Sequence, residues 1–119
     1  MTTTTNISKL FDKWNAALQT KKPQEVLKCY AETSILLPTL SNDVCDTPEK
    51  KINYFETFCA KGPNGKIDES HIREYGSIAI HSGIYTFTFE DGSQATARFS
   101  FVYENELIIE HHSSLLPES

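Results

Sequence analysis

The sequence has no long apolar run, no excess of basic residues and no paired cysteines. Its 119 residues contain nothing close to the ~18 consecutive apolar residues of a membrane-spanning helix, so no membrane partner is expected. The net charge is −5 and the lysines and arginines are scattered, which argues against nucleic acid as a partner. Cys29, Cys45 and Cys59 are odd in number and widely spaced, so neither a disulfide framework nor a thiolate metal site is expected.

The amino terminus also lacks the signals of a leader peptide. The stretch MTTTTNISKLF has no charged region followed by an apolar region, so we expect a cytoplasmic protein. Its threonine run predicts a disordered tail over residues 1–6. The full sequence is 39% hydrophobic, and the remaining residues 7–119 are long enough to form one domain with its own core.

The first half of the sequence has helical periodicity. The segment NISKLFDKWNAALQT predicts an amphipathic helix whose apolar stripe consists of Ile7, Leu10, Phe11, Trp14 and Leu18. Pro23 suits the first position of a short second helix, which the spacing of Val26, Cys29 and Tyr30 extends. The segment SILLPTL follows as a brief extended stretch, because the proline disfavours helix before it.

A third helix is predicted over PEKKINYFETFCA. Thr47 is its expected N-cap, and Pro48 fixes its first turn. We expect the helix to bury Ile52, Phe55 and Cys59 and to end near Gly62.

From about Lys66 onward, apolar and polar residues alternate. Asp91-Gly92 predicts a hairpin turn, and Glu104-Asn105 predicts another short reversal. The alternation therefore indicates a meander of antiparallel strands. Helices followed by strands in a chain of this length predict an α+β fold, with N-terminal helices packed on a curved antiparallel sheet.

Four strings carry a resemblance to a known family: LFDKWNAAL, YAETSILLPTLS, SGIYTFTF and IIEHHSSLLPE. They resemble the domain shared by the association domain of calcium/calmodulin-dependent protein kinase II, the SnoaL-like proteins and the iota-class carbonic anhydrases. The resemblance implies the cystatin-like cone of nuclear transport factor 2, with a pocket between sheet and helices. It also implies a homodimer or larger homo-oligomer. Glu110 stands where the iota class often has a third histidine, and Leu116 replaces a methionine.

The histidine pair of IIEHHSS is the obvious candidate for metal binding. His111 and His112 are adjacent on a predicted strand and therefore point to opposite faces, so they do not readily share one ion. His71 and His81 belong to other strands, with no cysteine or carboxylate at ligand spacing. We therefore expect no metal and no other cofactor, although part of the resembling family has been described as metal-dependent. Either His111 or His112 could act as a proton shuttle.

The serines that follow are candidates for holding an oxyanion. Strict alternation groups Ile109, His111 and Ser113 on one face, and Ile108, Glu110, His112 and Ser114 on the other. Only one of the two serines can face inward on a regular strand, and the pattern does not decide which. A serine at a strand end can also simply satisfy free backbone groups.

Two hydroxyls from other segments complete the candidate site. Tyr54 lies at the edge of the apolar face of the third helix, where its ring can be buried while its hydroxyl enters a cavity. In iota-class carbonic anhydrases described as metal-free, a threonine, a tyrosine and a serine hold bicarbonate. The resemblance implies that Thr39, Tyr54 and either Ser113 or Ser114 take these roles here.

Two residues are secondary candidates for substrate binding. Arg98 alternates with Ser100 and Val102, so the pattern favours a position on the solvent face. The resemblance implies the opposite, because the kinase association domain has an arginine in its pocket at the matching position. An inward Arg98 would make the pocket prefer carboxylates or bicarbonate. Tyr85 is more simply explained as core or pocket wall than as a catalyst.

Three hypotheses follow. The first is an iota-type carbonic anhydrase, whose substrates are carbon dioxide and bicarbonate. The second is a non-catalytic association domain that forms homo-oligomers or binds a small carboxylate. Phe99 and Phe101 support it if the first helix covers only the other face of the sheet, because their apolar face would then need a partner. The third is a module for a larger organic acid, but no Asp or Glu is placed as a general base.

Overall fold

A computed structural model of the protein describes residues 4–39 and 41–117. Three helices and five strands follow one another as α1 (Thr4–Gln19), α2 (Pro23–Leu27), β1 (Tyr30–Leu37), α3 (Pro48–Ala60), β2 (Asn64–Tyr75), β3 (Ile78–Thr88), β4 (Gln94–Glu104) and β5 (Leu107–Leu115). The predicted order of helices and strands is confirmed, and the extended stretch expected before the third helix belongs to β1, which begins earlier, at Tyr30. No helix among the described residues is long and apolar enough to cross a membrane.

Helix α1 packs on the sheet with the predicted apolar stripe. Ile7, Phe11, Trp14 and Leu18 are buried, and Leu10 is partly buried against them. The helix begins at Thr4, so residues 4–6 are helical rather than part of the predicted disordered tail. Residues 1–3 of that tail lie outside the described residues.

Helix α2 is shorter than predicted because sheet pairing begins early. Pro23 occupies its first turn, as expected, but the helix ends at Leu27. Tyr30 already pairs with Ile108 in the sheet, and the Cys29 carbonyl accepts a hydrogen bond from the Ile108 amide at 2.9 Å. These strand hydrogen bonds override the helical spacing of the apolar residues.

Helix α3 begins at the predicted cap. The Thr47 hydroxyl accepts a hydrogen bond from the Lys50 amide at 3.2 Å, and Pro48 follows in the first turn. The buried face is rotated from the predicted one, because Ile52 is only half-buried. The residues that the helix buries are Lys51, Phe55, Phe58 and Cys59.

The five strands form one sheet in the order β1-β5-β4-β3-β2. Strands β2 to β5 are the predicted antiparallel meander, with the reversals at Asp91-Gly92 and Asn105 where they were expected. Strand β1 adds to the sheet in parallel with β5. The carboxyl end of β1 therefore lies beside the carboxyl end of β5, which brings Thr39 close to the serines.

A β-bulge near Ile109 changes which face the first residues of β5 occupy. Tyr103 pairs with Ile108, but Val102 pairs with Glu110, so Ile109 is an extra residue in β5. As a result Ile108, His111 and Ser113 are all buried. The prediction that Ile109 shares a face with His111 is wrong, because strict alternation does not allow for this extra residue.

The inner face of the sheet is covered by α1 and is strongly aromatic. Phe101 contacts Trp14 with ring centroids 5.3 Å apart, and Phe99 stacks on Tyr85 at 4.6 Å. Phe99 and Phe101 are therefore core residues, and the idea that they need an external partner is wrong.

Candidate functional site

A small cavity lies between the inner face of the sheet and helices α1 and α3. Its volume is about 10 Å³, roughly the least that can hold one water molecule. Its polar lining consists of Thr39, Tyr54, Tyr85, His111 and Ser113, and the rest of its wall is aromatic or aliphatic. The cavity is therefore a small polar site inside an otherwise apolar core.

Three hydroxyl groups converge in this cavity. Tyr85 donates a hydrogen bond to Ser113 Oγ at 2.6 Å, and the Ser113 and Thr39 hydroxyls are also hydrogen-bonded to each other. These three residues, which we call the hydroxyl cluster, come from β3, from β5 and from the end of β1. The parallel pairing of β1 and β5 brings the last two together, since Leu37 pairs with His112.

His111 lies beside the hydroxyl cluster and is almost fully buried. Its Nε2 is 3.2 Å from the Tyr85 hydroxyl, and its Nδ1 is 2.7 Å from the Tyr30 hydroxyl. Its ring stacks on Phe101 with centroids 4.1 Å apart. Burial, with a smaller contribution from His112, lowers the pKa of His111 to about 3, so its imidazole is neutral at physiological pH.

Tyr85 is also held in its neutral form. Burial raises the pKa of its phenol well above the ordinary value, although its hydrogen bonds with Ser113 and Thr39 act in the opposite direction. A neutral phenol donates a hydrogen bond rather than accepting a proton. Tyr85 was expected to be core or pocket wall, whereas its hydroxyl is also a member of the hydroxyl cluster.

Tyr54 separates the cavity from a larger groove. It lines the cavity together with Phe58, and both rings also line an open groove of about 730 Å³ beside α3. The two rings stack with centroids 5.6 Å apart. The expected placement of Tyr54 at the cavity is therefore observed, and its side chain forms part of the wall towards solvent.

The other candidate residues lie on the opposite face of the sheet. Arg98 and His112 are exposed, and Ser114 is half-buried beside them, since Arg98 pairs with Ser114 and Ser100 with His112. Of the two serines, the inward one is therefore Ser113. His112 and Arg98 are separated from the cavity by the sheet, so neither can reach a ligand inside it.

The residues around the cavity do not fit a metal ion. Among residues 4–39 and 41–117, no three His, Cys, Asp or Glu side chains lie together as ligands would need to. Both ring nitrogens of His111 are already engaged by tyrosine hydroxyls.

Two residues that were not candidates for the site also belong to this network. Trp14 Nε1 donates to the Tyr30 hydroxyl at 3.1 Å, and Tyr30 in turn contacts His111. Both residues were assigned to apolar faces of helices. A signal was present, because a buried Trp or Tyr usually finds a partner for its polar atom.

Solved structures similar to this chain establish the fold. A chain from Xanthomonas campestris, assigned as a calcium/calmodulin dependent protein kinase II association domain, is 44% identical with a TM-score of 0.89, over 95% of this chain and 87% of that one. A nuclear transport factor 2-like protein from Salmonella enterica is 17% identical, with a TM-score of 0.79 over 97% and 92% of the two chains. A Nostoc punctiforme protein of unknown function with a cystatin-like fold is 15% identical, with a TM-score of 0.77 over 94% and 90%.

The fold is therefore the α+β cone of nuclear transport factor 2-like and cystatin-like proteins, as predicted. A search of curated proteins gave no match. The family model described as calcium/calmodulin dependent protein kinase II association domain matches residues 3–117. That match covers nearly the whole chain, and the chain belongs to this association-domain family.

Proposed function

We propose that this protein catalyses the reversible hydration of carbon dioxide to bicarbonate, as an iota-type carbonic anhydrase. The observation that carries the proposal is the convergence of the Thr39, Tyr85 and Ser113 hydroxyls in one buried cavity. The resemblance of IIEHHSSLLPE to the ending of the iota class supports it.

The hydroxyl cluster suits the charge that develops in this reaction. When water attacks the carbon of carbon dioxide, a new C–O bond forms and negative charge builds on the carbon dioxide oxygens. Hydroxyl donors that are already fixed in a buried site stabilise that charge better than mobile water. One proton then leaves the attacking water, and bicarbonate is the product.

The buried side chains are poor acceptors for that proton. Burial raises the pKa of the Tyr85 phenol and lowers the pKa of His111 to about 3, so neither a tyrosinate nor a basic histidine is present at neutral pH. His112, the other shuttle considered, lies on the opposite face of the sheet. We infer that the proton passes to water on the side of Tyr54, where the large groove begins.

Bicarbonate needs more room than the cavity has. Tyr54 and Phe58 are the wall between the cavity and the groove of about 730 Å³. Binding of a three-oxygen anion therefore requires the Tyr54 ring to move outward, towards the groove.

A stopped-flow hydration assay on chelator-treated protein, repeated with added zinc and manganese, tests the proposal. We expect hydration above the buffer rate without added metal. A rate that appears only after metal addition would overturn the metal-free form of the proposal. No hydration under any of these conditions would end the enzyme assignment.

A second candidate is a non-catalytic association module. The outer face of the sheet carries a row of half-buried branched residues, Ile35, Leu37, Ile80, Ile84 and Val102. They alternate with polar groups such as Arg98, a composition that suits a surface shared between copies of the chain. The family description names an association domain, so we propose that the protein forms a homo-oligomer through this face. Assembly and catalysis use opposite faces and are compatible.

A further inference from the structure

A continuous series of hydrogen bonds connects the core to the cavity. Trp14 contacts Tyr30 at 3.1 Å, Tyr30 contacts His111 at 2.7 Å, His111 contacts Tyr85 at 3.2 Å, and Tyr85 contacts Ser113 at 2.6 Å. Thr39 follows Ser113 as the last member. We call these six residues the hydrogen-bond series.

The direction of the hydrogen-bond series is set at its buried end. An indole N–H can donate but cannot accept, so Trp14 donates to the Tyr30 oxygen. The Tyr30 proton is then available for His111 Nδ1, which must be unprotonated to accept it. The proton of the neutral imidazole therefore sits on Nε2, and it points to the Tyr85 oxygen.

The opposite direction leaves a buried donor without an acceptor. If Nδ1 carried the proton, Tyr30 would accept from both Trp14 and His111. Its own proton would then have no acceptor, since Trp14 and His111 are its only side-chain partners among the described residues. Tyr30 is buried, so an unpaired hydroxyl there is costly. The charged imidazolium, which has protons on both nitrogens, is disfavoured by the aromatic surroundings.

The same direction continues to the cavity. Tyr85 accepts from Nε2 and donates to Ser113, which leaves the Ser113 proton for Thr39. Thr39 is the last hydroxyl, and its own proton has two destinations. One is the Tyr85 oxygen, whose pKa the Thr39 hydrogen bond lowers, and the other is an acceptor in the cavity.

We propose that the Tyr30 hydroxyl sets the direction of the hydrogen-bond series, because the donor-only Trp14 indole leaves His111 Nδ1 as the acceptor of its proton, so that the site at the far end selects ligands that accept hydrogen bonds over ligands that donate them. A carbon dioxide or bicarbonate oxygen is such an acceptor. The choice of ligand rests on the proposed function, whereas the direction of the series does not. Trp14, Tyr30 and His111 are positioning residues, because none of their polar atoms is the terminal donor.

The direction can be measured without any activity. Nitrogen-15 NMR of the full-length protein at pH 7 distinguishes the two neutral forms of the His111 ring by which nitrogen carries the proton. We expect the Nε2–H form. A His111 ring protonated on Nδ1, or on both nitrogens, would overturn the inference.

Two substitutions test the role of the buried end. Tyr30→Phe removes the hydroxyl that donates to Nδ1 and is nearly isosteric, whereas Trp14→Phe removes the indole donor at a greater cost in packing. We expect Tyr30→Phe to shift His111 towards the Nδ1–H form, because no hydroxyl then donates to Nδ1. Trp14→Phe should keep the Nε2–H form, because Nδ1 is still the side-chain acceptor of the Tyr30 proton. We also expect Tyr30→Phe to weaken the binding of carbon-13 bicarbonate about fivefold, the ratio that corresponds to one ordinary hydrogen bond.

Tyr103→Phe is the matched control, because the Tyr103 hydroxyl is buried outside the hydrogen-bond series and has no partner among the described residues. It should leave both the His111 ring and bicarbonate binding unchanged. If Tyr30→Phe alters neither quantity relative to this control, the proposal fails.

The two proposals fail in different ways. If His111 is in the Nε2–H form but the protein does not bind bicarbonate, the proposed enzyme activity and the choice of ligand are wrong. The proposed direction of the hydrogen-bond series is then still supported. Bicarbonate binding with His111 in the Nδ1–H form would keep the enzyme and overturn the direction.

Discussion

The Tyr85 hydroxyl donates a hydrogen bond to Ser113 Oγ across 2.6 Å, although the two residues lie 28 positions apart in the chain. They meet because β3 and β5 both flank β4, so that their inward side chains share one surface. Thr39 joins them from the end of β1. The parallel strand pair therefore completes a site that the antiparallel meander alone would leave without its threonine.

Replacing Thr39 tests whether the hydroxyl cluster stabilises charge. Thr39→Val keeps the shape of the side chain but removes the donor, so we expect the carbon dioxide hydration rate to fall by about 10² or more. Thr39→Ser keeps the hydroxyl and should retain most of the rate. Stopped-flow measurements on both variants test whether the Thr39 hydroxyl contributes to the rate. Sedimentation confirms that the assembly is intact. Equal rates for Thr39→Val and the wild type would contradict a catalytic role.

Much of the fold could be predicted from periodicity. The apolar stripe of α1 and the alternation in β4 place their residues correctly, because one face of each element is buried and the other is not. Alternation alone could not predict which face of the sheet the first residues of β5 occupy. The β-bulge at Ile109 is set by pairing with β4, which is a tertiary contact without a local signal.

The candidate site was predicted less completely than the fold. Thr39 and Ser113 were candidates, and the structure brings them together, but Tyr85 was assigned mainly to the wall. Whether a tyrosine side chain supplies packing or a hydrogen bond depends on which strands lie beside it. Arg98 shows the reverse case, because its solvent exposure was predicted from alternation while the family resemblance suggested an inward position.

The buried histidines predict a pH dependence of stability. Burial lowers the pKa of His81 to about 4 and that of His111 to about 3, while both would titrate near 6.5 in the unfolded chain. Between about pH 4 and 6.5 the unfolded state therefore binds more protons than the folded state. Protonation then favours unfolding, so the free energy of unfolding rises with pH through this window, by up to about 2.7 kcal/mol per pH unit for two groups.

The contribution of a single histidine can be isolated by substitution. His81 lies between Ile72 and Phe101 on the inner face of the sheet, and its ring contacts Phe99. His81→Leu should therefore be tolerated and should roughly halve the slope of unfolding free energy against pH. Urea unfolding at pH 5, 6 and 7 measures both proteins. An unchanged slope would show that His81 does not titrate as proposed.

The outer face of the sheet predicts how the oligomer can be broken. Val102 pairs with Ile80 on that face, so Val102→Glu would place a charge among the branched residues. We expect sedimentation to show a smaller species than the wild type, because an unpaired charge is costly in an interface. Lys9→Glu, on an exposed position of α1, is the control and should keep the wild-type mass. An unchanged mass for Val102→Glu would place the interface elsewhere.

Lys51 is a buried lysine that predicts a stabilising substitution. Lys51 is 1% exposed, and its ammonium forms no ion pair with a carboxylate among the described residues. Burial lowers the pKa of Lys51, with Cys45 and Asp46 acting weakly in the opposite direction. Charging the buried ammonium therefore costs stability at neutral pH, where the unfolded chain holds the proton more tightly.

Methionine in place of Lys51 keeps the length and apolar character of the stem while removing the charge. We expect Lys51→Met to raise the free energy of unfolding by about 1 to 2 kcal/mol at pH 7, measured in urea. The neighbouring Lys50 is exposed and pairs with Asp46 at 3.2 Å, so Lys50→Met should change stability far less. A loss of stability in Lys51→Met would mean that its ammonium group has a favourable contact, and that the position is held for its charge.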